Sequence, residues 1–92
     1  MTKKRHYEAI VKRGLITEKT TKYDFLKKIR EEFFEFNKEM YVDAFDTGNL
    51  RHVTIQEGID LIKTIENMFI HFGVDIDKEI EINTQYQETR KD

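Results

Sequence analysis

Two short acidic motifs are the residues of this chain best suited to chemistry. The first reads Glu31-Glu32-x-x-Glu35 and the second reads Glu57-x-x-Asp60. On an α-helix, residues three or four positions apart share a face, so the acids of each motif project together. If two such helices pack side by side, their carboxylates surround one space. Oxygen ligands of this kind suit hard cations such as Mg²⁺ or Mn²⁺, which commonly hold phosphate-bearing substrates.

Both motifs also have ordinary interpretations. Exposed glutamates often pair with lysines one helical turn away, and the first motif has such neighbours in Lys27, Lys28 and Lys38. In the second motif, Thr54 and Glu57 have the spacing of a capping box, in which Glu57 would bond the helix N-terminus and bind no metal. Asp60 would then be only a first-turn acid that complements the helix dipole.

The position of the acids beside apolar seams favours the metal interpretation. When the seams of the two helices pack together, they bring Glu32 and Glu35 toward the second motif. Carboxylates brought that close raise one another's pKa and destabilise the fold unless a cation neutralises them. A divalent ion is the simplest resolution.

Composition limits the remaining classes of function. The chain has 92 residues and a net charge of −2, with 38% hydrophobic and 37% charged residues. We expect one small domain, 1–92, without the basic stripe that a nucleic-acid polymer requires. The lack of cysteine excludes thiolate nucleophiles, zinc fingers and iron–sulfur ligands. No long apolar run follows the N-terminal segment, so we expect no signal peptide, no membrane span and a cytoplasmic location.

Apolar periodicity predicts an all-α domain. A short helix over 5–13 ends near Gly14. A longer second helix carries apolar side chains at helical spacing from Phe25 to Met40 and meets no breaker up to Phe45. The absence of proline agrees with this reading.

A turn at 46–49 separates the second helix from a third. Thr54 is the expected N-cap of the third helix, and Gly73 is its expected C′ residue. A fourth, shorter helix begins after Val74. Because the apolar face of the third helix is too broad for one neighbour, we expect a small helical bundle completed by oligomerisation, as a dimer or tetramer.

The aromatic residues of the first acidic motif divide into two groups. For Phe33 and Phe36 the core is the better assignment, because both lie on the apolar seam. Phe34 falls off the seam, so it could face another subunit or stack on a base.

The histidines form no recognisable catalytic or metal pattern. His71 shares a helix stripe with Asp60, Thr64 and Asn67 and could line a pocket, but a surface histidine is the more common case. The chain has no Glu-x-x-His pair of the kind found in di-iron bundles. It also has no Gly-rich phosphate loop and no Ser/His/Asp arrangement.

With both motifs placed, the sequence resembles the MazG-like family of all-α nucleoside triphosphate pyrophosphohydrolases. The resemblance rests on the segment from Lys28 to Glu35, an intervening turn, and the segment from Glu57 to Asp60 at the start of a helix. It implies a helical homodimer or homotetramer, dependence on Mg²⁺, and cleavage of a (d)NTP to the monophosphate and pyrophosphate. The implied role is to clear unwanted nucleotides.

The resemblance also implies roles for individual residues. The Mg²⁺ ligands would be Glu32, Glu35, Glu57 and Asp60, with Mn²⁺ as a possible substitute. Glu31 could orient or deprotonate the attacking water, and Lys28 could meet phosphate. Bound Mg²⁺ would offset the charge of the triphosphate and activate a water for in-line attack, so no covalent nucleophile is needed.

The C-terminal stretch departs from the family pattern. Members often carry Asn-x-Lys-aromatic followed by Arg, whereas the chain has Asn83-x-Gln85-Tyr86 with Arg90 and Lys91 nearby. Asn83 and Arg90 are the candidate phosphate contacts, but Gln85 can hydrogen-bond phosphate without neutralising it. One alternative to an enzyme is a non-catalytic module of the same fold that binds nucleotide or metal or serves as an interaction module. A third possibility is a plain helical coiled-coil adaptor whose acids are solvated.

Overall fold

The regular structure in the described part of the chain is entirely helical. The structure, a computed structural model, describes residues 2–46 and 48–90. Its helices are α1 (Thr2–Lys12), α2 (Lys22–Asp43), α3 (His52–His71) and α4 (Ile76–Thr89). The all-α prediction is therefore confirmed. Thr47 of the expected turn and Lys91 lie outside the described residues.

None of these helices combines the length and the apolar composition that crossing a bilayer requires.

α2 begins with a capping box. The Thr21 hydroxyl accepts a hydrogen bond from the Asp24 amide at 3.2 Å, and the Asp24 carboxylate accepts one from the Thr21 amide at 2.8 Å. The bonds from the Thr21 backbone and side chain lower the pKa of Asp24. A capping box satisfies two amides that a helix N-terminus otherwise leaves unbonded. α2 then runs to Asp43 and stops short of the expected Phe45.

α3 begins earlier than the sequence indicates. Its N-cap is Arg51, whose side chain makes no capping bond, and Thr54 is fully buried inside the first turn. The prediction of Thr54 as N-cap is wrong, and so is the capping box that it would form with Glu57. At the other end the prediction is confirmed, because Gly73 follows the C-cap residue with a φ of +76°, which glycine adopts without strain.

α3 is the central helix, since every helix–helix contact in the described chain involves it. α2 and α3 run antiparallel: Phe25 near the start of α2 packs on Phe72 just beyond the end of α3, with ring centroids 5.9 Å apart. The helices also approach closely at Gly58, where an added Cβ would lie 3.0 Å from the Phe36 ring. This close approach lies directly beside the second acidic motif.

Two histidines tie α1 and the segment before α2 to α3. His71 donates from Nε2 to the Thr20 carbonyl at 3.2 Å and accepts at Nδ1 from the Tyr7 hydroxyl at 3.1 Å. His6 Nδ1 lies 3.3 Å from the side-chain nitrogen of Asn67. The surface assignment of His71 is therefore wrong. The ring is half-buried, and both of its nitrogens have partners.

A buried ion cluster, here called the Arg51 clamp, joins the end of α2 to the start of α3. Asp43 accepts hydrogen bonds from the guanidinium of Arg51 and from its amide. The guanidinium also donates to the Glu39 carbonyl at 2.9 Å, to the Glu39 carboxylate at 3.1 Å and to the Thr54 hydroxyl at 3.4 Å. The bond from the Arg51 side chain is the main reason that the pKa of Asp43 is lowered.

Most large apolar side chains remain exposed in the single chain. In the described part, only Ile16 and Phe25 are buried apolar residues. Phe33 is 56% exposed, so its core assignment is wrong for the isolated chain, whereas Phe36 is half-buried. The accessible area of 7606 Å² compares with roughly 5,700 Å² for a compact monomer of 11.1 kDa. The radius of gyration of 15.7 Å likewise exceeds the roughly 12 Å of a compact domain of this length.

α4 adds little to the core. The Asp75 side chain caps it by accepting a hydrogen bond from the Lys78 amide at 3.1 Å. Among the described helices α4 contacts only α3, and none of its residues is buried. The fourth helix is confirmed, and none of the described residues fully covers its apolar side.

The Arg51 clamp predicts acid sensitivity of the fold. Because the pKa of Asp43 is lowered, its stabilising contribution is complete at neutral pH and is lost as the pH falls through the folded-state value. We expect Asp43→Asn to lower the melting temperature at pH 7 by about 5–10 °C, because the variant breaks a buried ion network. Circular dichroism should show this difference shrinking at acidic pH, as the pH falls through the folded-state pKa of Asp43.

The exposed Asp46 provides the matched control. Its carboxylate accepts a hydrogen bond from the Gly48 amide at 3.1 Å, which an asparagine oxygen can also accept. Asp46→Asn should therefore melt with the parent chain at both pH values. Equal melting temperatures for Asp43→Asn and the parent at pH 7 would contradict a stabilising clamp.

Candidate metal centre

The α2–α3 interface brings three of the four candidate metal ligands together. Carboxylate oxygens of Glu32, Glu57 and Asp60, here called the acidic triad, lie within 4.8 Å of one another. Glu32 comes from the middle of α2, and the other two come from the first half of α3. Glu32 and Glu57 are half-buried, while Asp60 is exposed. The triad therefore opens to solvent on one side.

Crowding of the acids is strongest at Glu57. Loss of solvent around its carboxyl raises the pKa of Glu57, and the charges of Asp60, Glu35 and Glu32 raise it further, in that order. Glu35, the fourth candidate ligand, thus lies near the triad although it is not part of it. Glu39, which the sequence did not single out, adds a smaller contribution. The negative charge of two helices converges on one half-buried carboxyl.

A lysine and a further carboxylate border the triad. The Lys28 ammonium lies 3.0 Å from Glu32 and 3.6 Å from Glu31. The hydrogen bond to Glu32 raises the pKa of Lys28. Ion pairing one turn away, the ordinary interpretation of this motif, therefore holds for Glu31 and Glu32. Because a lysine ammonium is a point charge on a flexible stem, it can exchange a carboxylate for a phosphate oxygen.

A cleft of about 740 Å³ opens beside the triad, between α1, the connection that follows it, α2 and α3. This volume falls within the roughly 300–1,000 Å³ of small-molecule sites. Of the triad, Glu32 and Asp60 line the cleft and Glu57 does not, while Glu31 and Asp24 add two further carboxylates to its lining. Apolar walls come from Ile10, Leu15, Ile16 and Phe25, and its cationic side chains are Arg13, Lys27 and Lys28. The cleft can therefore hold a ligand that is charged at one end and flat or apolar elsewhere.

The candidate phosphate contacts on α4 lie apart from this cleft in the single chain. Asn83 lines a second groove with Phe69 and Ile80. Gln85 donates to Glu81 on its own helix at 3.1 Å, and Arg90 is the residue that caps the end of α4. Within the described residues, the lining of the cleft includes no residue of α4.

Two side chains of the cleft, His6 and Asn67, were not predicted as site residues from the sequence. The stripe of Asp60, Thr64 and Asn67 along α3 was a visible signal, and the structure places all three on the cleft. His71, the remaining member of that stripe, does not line it. The contact of Asn67 with His6 spans 61 residues of sequence, so no local pattern could have found it.

The chain matches no family model, no curated protein and no solved structure. The triad offers only carboxylate oxygens, the donor set that Mg²⁺ and Mn²⁺ prefer and that thiophilic metals do not. A divalent cation would also relieve the repulsion at Glu57. On both counts the residues fit a hard divalent ion.

The raised pKa of Glu57 predicts a conflict between stability and metal binding. Above its folded-state pKa the Glu57 carboxylate is charged among other acids, which destabilises the fold. This penalty shrinks as the pH falls below that pKa and is gone below the pKa of the unfolded chain. Glu57→Gln should therefore melt at a higher temperature than the parent at pH 7 in the presence of a chelator. Differential scanning fluorimetry measures the difference.

The same variant should respond differently to metal. Mg²⁺ should raise the melting temperature of the parent in proportion to the logarithm of its concentration once the ion exceeds its Kd, whereas Glu57→Gln should lose this response. Glu88→Gln, on the exposed end of α4, is the matched control and should behave as the parent does. A parent melting temperature that ignores both Mg²⁺ and Mn²⁺ would refute a metal site at the triad.

Proposed function

We propose that this domain is a Mg²⁺-dependent nucleoside triphosphate pyrophosphohydrolase, which converts a (d)NTP to the monophosphate and pyrophosphate. The observation that carries the proposal is the acidic triad at one end of a cleft of about 740 Å³. The order of the two acidic motifs, which resembles that of MazG-like enzymes, supports the same reaction. A triphosphate needs a cation at its charged end and room for the nucleoside beyond it. The cleft offers that room, and the triad beside it offers carboxylates that could hold such a cation.

The carboxylates of the triad would bind the metal ion in such a reaction. Glu32, Glu57 and Asp60 would hold the ion, with Glu35 close enough to add to their field. Bound there, Mg²⁺ would supply charge neutralisation and an activated water for in-line attack on the α-phosphorus.

Two side chains at the edge of the triad complete the assignment. Glu31 is exposed and lines the cleft, where it would orient the attacking water and accept its proton. Lys28 would leave Glu32 to neutralise a phosphate oxygen. Pyrophosphate then leaves without any covalent bond to the protein, since one P–O bond forms with water as the bond to the leaving oxygen breaks.

A non-catalytic nucleotide-binding module is the second candidate function. Gln85 favours it, because a neutral amide replaces the lysine expected of an enzyme of this type. The position of Asn83 in a separate groove points the same way. This candidate keeps the triad and the cleft but predicts binding without turnover.

Pyrophosphate release distinguishes the two functions. We expect turnover of at least one member of a panel of canonical and damaged (d)NTPs with Mg²⁺ or Mn²⁺. Glu35→Gln and Asp60→Asn should each reduce the rate by roughly 100-fold or more, because they weaken the ion's carboxylate environment. Glu88→Gln should leave the rate unchanged. A folded parent that releases no pyrophosphate across the panel refutes the enzyme, and nucleotide binding without turnover then supports the module.

We also propose that the domain acts as a homodimer or homotetramer. Its accessible area exceeds that of a compact monomer by roughly 1,900 Å², while a standard interface takes about 800 Å² from each partner. α3 supplies an apolar stripe in Ile55, Ile59, Ile62 and Phe69, each between 37% and 52% exposed. Glu66, which pairs with Lys63 at 3.0 Å, interrupts this stripe between Ile62 and Phe69. The four apolar residues recur at helical spacing, so they form one face that a second copy can cover.

Sedimentation velocity at micromolar concentration tests self-association. The parent should sediment as a twofold or fourfold multiple of 11.1 kDa. Ile62→Glu should shift the population toward the monomer, because it puts a charge in the centre of the stripe. Gln87→Glu on α4 adds the same charge elsewhere and should not. A monomeric parent would refute this proposal.

A further inference from the structure

One buried side-chain atom beside the cleft has no partner. Asn67 is 5% exposed and lines the cleft from α3. Its amide nitrogen contacts His6 Nδ1 at 3.3 Å, but its Oδ1 is buried and accepts no hydrogen bond from the described residues. Buried polar atoms nearly always have a partner, so such an exception indicates a function or a ligand.

The contact with His6 decides which end of the Asn67 amide is offered. With Nδ1 as acceptor, His6 carries its hydrogen on Nε2 and takes a hydrogen bond from the amide nitrogen. Oδ1 is then left as an acceptor for a donor that the described residues do not supply. Because the terminal torsion of asparagine is soft, the amide can turn to meet a donor in the cleft, and such a turn would give up the 3.3 Å contact with His6.

Asn67 and the triad lie at two ends of one surface. Asp60 and Asn67 are seven residues apart on α3, nearly two full turns, so their side chains share a face about 10 Å apart along the axis. Thr64 lies between them, with its hydroxyl already bonded to the Asp60 carbonyl at 2.8 Å. The buried apolar side chains Ile16 and Phe25 line the same cleft. The cleft thus joins an acidic end to an acceptor end through apolar walls.

We propose that Asn67 recognises the base of the bound nucleotide, by accepting a hydrogen bond at Oδ1 from a ring N–H or exocyclic amino group. This inference rests on the proposed function, because it takes the triad as the phosphate end of the site. A ligand anchored at the triad must extend about 10 Å to reach the amide, which favours a nucleotide over inorganic phosphates. The apolar walls suit the flat faces of a heterocycle.

A binding comparison tests the base contact without relying on turnover. Titration calorimetry with Mg²⁺ would compare α,β-methylene analogues of the four dNTPs with inorganic tripolyphosphate, which carries the charge but no base. At least one analogue should bind the parent more tightly than tripolyphosphate does. Asn67→Leu should weaken that analogue by about 2–12-fold, the range of one neutral hydrogen bond, and leave tripolyphosphate unchanged. Asn37→Leu, on the exposed side of α2, is the matched control and should change neither affinity.

Three results would overturn the proposal. In the first, no analogue binds the parent more tightly than tripolyphosphate does. In the second, Asn67→Leu binds the preferred analogue as tightly as the parent does. In the third, Asn67→Leu weakens the binding of the analogue and of tripolyphosphate equally. If Asn67→Leu does not fold, the parent is titrated with the preferred nucleotide methylated at its donor nitrogens. The same 2–12-fold loss supports the contact, and undiminished affinity refutes it.

Failure of the base contact is distinct from failure of the enzyme. Asn67-dependent nucleotide binding without pyrophosphate release refutes hydrolysis and keeps the contact. Pyrophosphate release combined with nucleotide binding that ignores Asn67 keeps hydrolysis and refutes the contact.

Discussion

The repulsion among facing carboxylates is the constraint on which the rest of this structure depends. The acidic triad holds oxygens of three acids within 4.8 Å, which by itself drives α2 away from α3. The helices stay together because they are fastened on both sides of the triad. At one end Arg51 satisfies Asp43, and at the other Phe25 packs on Phe72. These two contacts therefore keep the helices together despite the repulsion, whose largest effect falls on Glu57.

Arg51 and Lys28 neutralise acids of α2 and α3 in different ways. The guanidinium of Arg51 is fixed by bonds to Asp43 and Glu39, and its planar fork makes the arrangement rigid. Lys28 is half-exposed and holds Glu32 through one flexible contact. The acids where α2 ends and α3 begins are thus neutralised by a fixed partner, whereas the negative charge around Glu57 can still attract an added cation. This difference separates a structural ion cluster from a binding site.

Helical spacing predicted that four acids would meet, of which the structure brings Glu32, Glu57 and Asp60 within 4.8 Å, but it did not predict what surrounds them. Glu57 and Asp60 share a face because they are one turn apart, and Gly73 ends α3 through its own backbone freedom, so both features are local. Thr54 had the local signal of an N-cap, yet the bonds of Arg51 to α2 start the helix earlier. Periodicity also marked Phe33 as apolar-facing, but it carries no information on whether the same chain or a second one covers that face.

The geometry of α3 shows that self-association and ligand access are compatible. At 3.6 residues per turn, the stripe of Ile55, Ile59, Ile62 and Phe69 points about 150° away from the mean direction of Asp60, Thr64 and Asn67. A second copy on the stripe would therefore cover the back of α3 and leave the cleft open. Because α3 contacts every other described helix, fixing its back would also restrain the spacing of Glu57 and Asp60 from Glu32. An interface there would thus hold the triad in place from behind without contributing a ligand to it.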